Sequence, residues 1–344
     1  MTSLVVQTAF LGDVVLTTPL LGALARRHGP VDVVTTPAAA PLLETHPAVR
    51  RVIAYDKHGR DGGPRGFVAL ARRLRAERYE AAYLPHRSLR SAALAWLAGI
   101  PRRVGFRDGW PLLYTAVRER PRAAHEIDRL LALADIAPGA ERPSLALTAA
   151  DRAAAERFLG EHGIGAPFIA LAPGAIWGTK RWPYYRELAE RLSARVPLVI
   201  VGGPDDAALA GEITAALARG ARATANGCGR LSVRQSAEVI RRAAVLVTND
   251  SAPLHLAQAV ATPTVAIFGS TVPAFGFGPR GADDRVVELP GLACRPCSAH
   301  GPPSCPLGHH RCMRELTVQQ VVTAIDHAWK RREPLQQVNT GEQR

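Results

Sequence analysis

At 344 residues the chain is long for one domain and comfortable for two, and 47% hydrophobic against 21% charged residues suits a globular core. No apolar run approaches the ~18 residues that a membrane span needs, and the stretch from Leu4 to Leu24 lacks the basic start of a secretory signal and carries Gly12-Asp13 in its middle. The net charge of +13 asks for an anionic partner, yet zinc fingers, helix-turn-helix signals and aromatic-interleaved basic repeats are missing, so nucleic acid is the least expected one.

Leu4-Val5-Val6 predicts a first strand, followed by a loop from Thr8 to Gly12. Asp13 is expected to cap a helix running to Arg27, with Val15, Leu16, Leu20, Leu21 and Leu24 on one face. A carboxylate there, with Gly12 before it and Thr17 and Thr18 a turn later, reads two ways. It is an N-cap, or it meets a ligand at a sheet edge. Strands are predicted at Val31–Thr35 and Val52–Ala54, then a basic helix over Gly66–Glu77, a strand at Ala81–Leu84 and an Ala/Leu helix over Ser91–Ala98. His86, Arg87 and Arg90 fall just past the Ala81 strand. Alternating strands and helices predict an α/β sheet. Residues 1–150 hold 21 Lys and Arg against 13 Asp and Glu, a surplus of 8, whereas the remaining 194 hold 22 against 17, a surplus of 5. The clusters Arg72-Arg73-Leu74-Arg75, Arg102-Arg103 and Arg118, Arg120, Arg122 read as a solvated face or as a surface for an anionic glycolipid or membrane.

Pro138–Pro143 begins a linker, which divides the chain into units of 1–150 and 151–334, with 335–344 a polar tail expected to lack order. Asp151 is expected to cap a helix to His162. Phe168–Ala172 reads as a strand, Pro173-Gly174-Ala175 as a loop, and Trp182-Pro183 as the lead into an amphipathic helix through Leu192. Lys180 stands out in that loop because the chain has three lysines against forty arginines. Where Arg is the usual cation, a Lys beside Thr179 and a Gly-rich turn offers a compact charge to phosphates. Leu198–Val201 is the next strand, turning at Gly202-Gly203. Val245–Val247 forms a further strand, after which Asn249, Asp250 and Ser251 can all cap a helix whose first turn holds Ala252 and Pro253. His255 then lies one turn in, at the positive end. Thr264–Phe268 is a strand ending at Gly269-Ser270-Thr271, and a last helix covers Thr317–Lys330. A helix start with hydroxyls, a carboxylate and an imidazole at the end of a parallel strand is where α/β proteins hold phosphorylated ligands.

Five cysteines without a signal sequence point to a reducing compartment, the cytoplasm. Four of them, Cys294, Cys297, Cys305 and Cys312, follow metal-ligand spacing, and a structural zinc held by four thiolates is one reading. A free-thiol loop, an oxidisable pair and an iron–sulfur remnant are the others.

Several motifs, in the right order, resemble the lipopolysaccharide heptosyltransferases of glycosyltransferase family 9, most of all their type II members. They are Leu11-Gly12-Asp13, Pro173-Gly174-Ala175 with Lys180-Arg181-Trp182-Pro183, and Asn249-Asp250-Ser251 with His255, Ala257, Pro263 and Phe268-Gly269-Ser270-Thr271. Ala252 stands where Gly is frequent in the family, which leaves the helix start intact. The resemblance spans Leu4 to about residue 325. It implies two Rossmann-like domains facing across a cleft, the glycosyltransferase B fold. It also implies an inverting transfer of L-glycero-D-manno-heptose from ADP-heptose to the lipid A–Kdo–heptose acceptor. In the family, Asp13 would be the general base, and Gly174, Ala175, Thr179, Lys180, Asp250, Ser251, Ala252 and His255 would hold the donor. Gly12, His86, Arg87 and Arg90 would meet the acceptor, and no cofactor would be needed for catalysis. Cys-Pro-Cys and Cys-Pro-Leu-Gly-His segments recur in type II members but not in all of them, so catalysis would not rest on the cysteines. Work on a glycolipid implies peripheral association with the inner face of the cytoplasmic membrane. The rival readings are a type I or III acceptor, a related nucleotide-sugar epimerase, and a nucleotide-binding regulator on the same fold.

Overall fold

The apolar runs fold as parallel strands. The computed structural model describes residues 2–139, 141–217 and 221–329; the tail 335–344 and Lys330 lie outside them. Two compact units divide the chain, one of Met1–Ala153 with Ala274–Phe277, the other of Ala154–Pro273 with Gly278–Arg344. In the first, β1 (Ser3–Gln7), β2 (Val31–Thr35), β3 (Val49–Ala54), β4 (Ala81–Leu84), β5 (Arg102–Phe106) and β6 (Ala116–Arg118) form a parallel sheet in the order β3-β2-β1-β4-β5-β6. In the second, β7 (Ile169–Ala172), β8 (Leu198–Ile200), β9 (Thr224–Asn226), β10 (Val245–Asn249), β11 (Thr264–Phe268) and β12 (Arg285–Glu288) repeat it as β12-β11-β10-β7-β8-β9.

This order places two crevices. From β1 the chain winds outward to β3, then returns to lay β4 on the other side of β1, so neighbouring loops part at the carboxyl ends of β1 and β4. The same reversal occurs between β7 and β10. Ligands of open α/β sheets bind at such switch points. Leu11–Gly12–Asp13 and the 85–90 loop fall at the first; Pro173–Lys180 and Asn249–Ser251 fall at the second.

Helices cover both faces of each sheet, which is why the central strands are buried throughout and read as continuous apolar runs. Helices Leu11–His28 and Glu126–Ala132 pack one face of the first sheet around Leu16, Leu20 and Leu24. Helices Gly63–Ala76 and Leu89–Leu97 pack the other around Leu70, Leu74 and Leu94. In the second unit Tyr185–Ser193 and Val318–Trp329 bury Leu188, Val321 and Ile325. Each such side chain stabilises the fold by about 1.5–3 kcal/mol relative to exposure.

Two helix starts differ from expectation in the same way. The first helix begins at Leu11 with Phe10 as N-cap, so Asp13 is three residues inside and accepts from the Phe10 amide at 3.2 Å. Asp151 likewise accepts from the Thr148 amide at 2.7 Å, while its own amide donates to the Thr148 hydroxyl at 3.2 Å. Both acids accept from the N-cap amide at the inner position instead of capping, and only Thr148 returns the bond through its side chain to complete a capping box.

Candidate active site

At the β7/β10 switch point the expected caps do something else. Ser251 is the N-cap of helix Ala252–Ala259 by backbone, but its side chain makes no capping bond, and its hydroxyl lies 3.4 Å from the Asn249 carbonyl. Asn249 turns across the sheet: its amide nitrogen donates to the Pro173 carbonyl at 2.8 Å, and its oxygen accepts from the Trp182 amide at 3.2 Å. Asp250 accepts from Lys180 Nζ at 2.7 Å and from the Thr271 hydroxyl at 2.6 Å. The reading of these three as side-chain caps is therefore corrected. Asn249 and Asp250 knit neighbouring strand-end loops together, and the helix starts without a side-chain cap from Ser251.

Lys180 and Asp250 are nearly enclosed, with side chains 14% and 9% exposed. His255 is buried in the helix, with Nδ1 3.0 Å from Gln258 Oε1. Burial holds its imidazole below the usual 6.5, Lys180 adds to that, and Gln258 and Asp250 oppose it. Gly174 is buried against Asp206, where an added Cβ would collide with the carboxylate. Ala175 is buried beside it and accepts from Arg181 Nε at 2.7 Å through its carbonyl, while Ala252 is half-buried at the helix start.

The loop carrying Lys180 is held from the far end of the chain, which the sequence reading missed. The Thr179 hydroxyl donates to the Pro302 carbonyl at 2.6 Å and lies 3.0 Å from Ser270 Oγ. His310 Nε2 meets the Thr179 carbonyl at 3.0 Å, and a Cβ on Gly178 would strike the Pro303 carbonyl. Arg295 donates to the Thr271 carbonyl at 2.9 Å and pairs with Glu288 at 2.7 Å. The Phe268–Thr271 motif was the only sequence signal for Thr271, and Cys305-Pro306-Leu307-Gly308-His309 the only one near His310.

The β1/β4 switch point is looser. Gly12 is buried in the first helical turn and Asp13 is half-buried beside it. Thr8 Oγ1 lies 3.4 Å from Ser91 Oγ, joining the loop after β1 to the helix after β4, and Lys57 Nζ donates to the Thr8 carbonyl at 3.0 Å. His86, Arg87 and Arg90 are exposed. Arg87 reaches Asp108 at 3.5 Å, and Arg90 donates to the Tyr55 hydroxyl at 3.0 Å. Arg120, read from sequence only as part of the Arg118, Arg120, Arg122 cluster, stacks 4.2 Å over the Phe106 ring, donates to the Pro85 carbonyl at 3.0 Å and pairs with Glu126.

The cysteines are all free thiols. Among the described residues no group of three or more His, Cys, Asp or Glu side chains is placed to hold a metal ion, so Cys294, Cys297, Cys305 and Cys312 do not form the tetrahedral set that zinc requires. Burial pushes Cys297 up, Cys312 up to about 11 and Cys228 up to about 12. Cys305 goes the other way: slight burial opposes, but the amides of His310, Leu307, Gly308 and His309 hold its thiol below the usual range. The His310 amide lies 3.4 Å from the sulfur.

Two doubly wound parallel sheets in one chain, each with polar loops at its switch point, are the architecture of the glycosyltransferase B fold. The solved ADP-heptose lipopolysaccharide heptosyltransferase II of E. coli superposes with a TM-score of 0.78 at 27% identity, covering 96% of this chain and 99% of that one. The lipopolysaccharide heptosyltransferase 2 of Salmonella typhimurium is 29% identical over 83% of this chain and 87% of its own length. The lipopolysaccharide heptosyltransferase 1 of Pseudomonas aeruginosa is 31% identical over 79% of each. The family model for glycosyltransferase family 9 (heptosyltransferase) matches residues 67–304, and the chain belongs to that family. It is an enzyme, a glycosyltransferase, which sets aside the nucleotide-binding regulator. Among the described residues no helix is long and apolar enough to cross a membrane.

Proposed function

We propose that the chain moves L-glycero-D-manno-heptose from ADP-heptose onto the inner-core heptose of the lipid A–Kdo–heptose glycolipid and releases ADP. The observation that carries this is the enclosed ammonium of Lys180 beside a helix start where Ser251 makes no side-chain cap. Both suit a diphosphate, and both offset the charge that grows on departing ADP without a divalent cation. Thr179 and the Gly174-Ala175 backbone line the same edge, His255 faces the pyrophosphate, and Asp250 orients Lys180. Ser251 and Ala252 bring the helix amides to the phosphates.

In this reading residues 1–150 receive the acceptor and 151–334 the donor. Asp13 takes the proton of the acceptor hydroxyl as that oxygen attacks the anomeric carbon, and the bond to ADP breaks on the opposite face, so the configuration inverts. Gly12 leaves room for the acceptor, and His86, Arg87 and Arg90 meet its acidic groups. Arginine forks suit phosphate and carboxylate. The work takes place in the cytoplasm, at the inner face of the cytoplasmic membrane. A type I acceptor is the second reading, favoured by the 31% identity to the Pseudomonas enzyme.

The test pairs purified protein and ADP-heptose with lipid acceptors that carry no heptose or one. A one-heptose mass gain on the heptosylated acceptor, with ADP release, is expected, and Asp13→Asn should lower turnover by roughly 10²–10⁴-fold. Near-native turnover in that variant would remove Asp13 as the base. Gain on the heptose-free acceptor alone would make the type I reading the right one.

A further inference from the structure

One face of the first unit exposes apolar side chains that the transfer chemistry does not use. On helix Leu89–Leu97, Leu89 and Trp96 are 48% and 53% exposed, and Ala93 between them completes an outward stripe at helical spacing. Just past the helix, the Arg103 guanidinium donates to the Ile100 carbonyl at 2.6 Å and to the Leu113 carbonyl at 2.7 Å. That bridge sets the turn Pro111–Leu113 against the helix end, and there Leu112 is 100% and Trp110 43% exposed. On the other flank Arg75 donates to the Leu97 carbonyl at 2.9 Å and fixes helix Gly63–Ala76 alongside. Its outward stripe is Arg65, Val68, Ala69, Arg72 and Arg73, all exposed.

The charge of this face is lopsided. Residues 63–113 hold ten arginines against three acids, Glu77, Glu80 and Asp108. Arg65 and Arg72 enter no ion pair among the described residues. Single exposed apolar residues are ordinary on soluble proteins. Two tryptophans and a bare leucine flanked by arginines are the composition of a membrane interface, where indoles sit at headgroup level and cations meet lipid phosphates.

We propose that helices Gly63–Ala76 and Leu89–Leu97 with the turn Trp110–Leu113 form a docking surface for an anionic lipid bilayer. Trp96, Trp110 and Leu112 enter the headgroup region, and Arg65, Arg72 and Arg73 meet the lipid phosphates. The inference rests on the acceptor reading above, since the stripe starts at Leu89, next to Arg90, where the glycolipid head would be received. Docking there brings that edge down to the bilayer that holds the acceptor.

The experiment is cosedimentation with vesicles of phosphatidylglycerol and phosphatidylethanolamine, against phosphatidylcholine vesicles, run beside transfer to a delipidated, water-soluble heptosylated acceptor. Wild type should pellet with the anionic vesicles and less with phosphatidylcholine. Raising the salt should weaken that binding without abolishing it, because the apolar contact is not screened. Trp96→Ser with Leu112→Ser should lower partitioning roughly tenfold, as should Arg72→Glu with Arg73→Glu. Transfer to the soluble acceptor should stay at wild-type rate in both. Leu112→Ser alone, at a site with no packing to lose, is expected to weaken binding severalfold and stands in if the double variant fails to fold. Wild-type binding by the variants, or no vesicle binding by the wild type, overturns the proposal. So does a dimer that the substitutions dissolve with vesicle binding unaltered, which would make the face a contact between copies. Absence of transfer to the soluble acceptor by the wild type, with vesicle binding as expected, would instead sink the acceptor reading.

Discussion

The two switch points share one strand order and are finished in opposite ways. At the β7/β10 edge the polar side chains are bonded to each other before any ligand arrives: Lys180 to Asp250, Asp250 to Thr271, Thr179 to Pro302, Asn249 to Pro173. At the β1/β4 edge His86, Arg87 and Arg90 are exposed, Arg90 reaches the Tyr55 hydroxyl, and the Arg87–Asp108 pair is long at 3.5 Å. A preorganised edge suits a ligand whose charged part never varies, because its groups are already desolvated and aimed. An open edge of long side chains can adjust to a branched, variable glycan.

The largest expected effect separates the two edges. Lys180→Ala should weaken ADP-heptose binding tenfold or more, since a charge-assisted contact in an enclosed site contributes roughly 1.5–3 kcal/mol. Arg90→Ala, at an exposed position, should raise the acceptor KM only severalfold, with donor affinity unchanged. Equal losses from the two variants would break the comparison. Lys180→Ala also strands the Asp250 carboxylate, so the double variant Lys180→Ala/Asp250→Ala should regain thermal stability without regaining donor binding. Recovery of both would make the pair purely structural.

A smaller effect concerns pH. With the folded imidazole of His255 below its ordinary 6.5, the unfolded chain binds more protons than the folded one as pH drops under that value, so stability falls there. Burial lowers His46 in the same direction. Bound pyrophosphate favours the imidazolium, so ADP affinity should rise over the range in which Tm falls. Parallel calorimetry and ADP titration from pH 5.5 to 8 would show this crossing, with pH-independent ADP affinity leaving His255 as a packing residue. The smallest effect is a ranking: brief alkylation followed by peptide mass mapping should modify Cys305 ahead of Cys297, Cys312 and Cys228. Equal labelling would mean that the amide cradle around Cys305 is not formed.

The architecture was legible where apolar runs end in Gly, Pro or Asx loops, as at Ala172–Gly174 and Asn249–Ser251, because buried parallel strands leave little else for such runs to be. Short strands such as β5, β6 and β9, with arginine or small polar residues in them, gave no comparable run. Helix starts misled twice, since an Asp near a start reads alike at the cap and three residues inside it. The partners of Asn249 and Asp250 were out of reach, because Asx side chains that satisfy neighbouring loops carry the same local pattern as caps. Least legible was the hold on Thr179, whose partners Pro302 and His310 lie 123 and 131 residues away in sequence. No periodicity reports a contact of that range.

That long-range hold also has a consequence during synthesis. Lys180, Asp250 and His255 all leave the ribosome well before residues 301–313, which tie down the loop carrying Lys180. A nascent or truncated chain that stops short of them would display every donor motif and still hold an untethered loop. Such a product should be catalytically silent, so an intact signature in a gene fragment is no guide to whether its product can use the sugar.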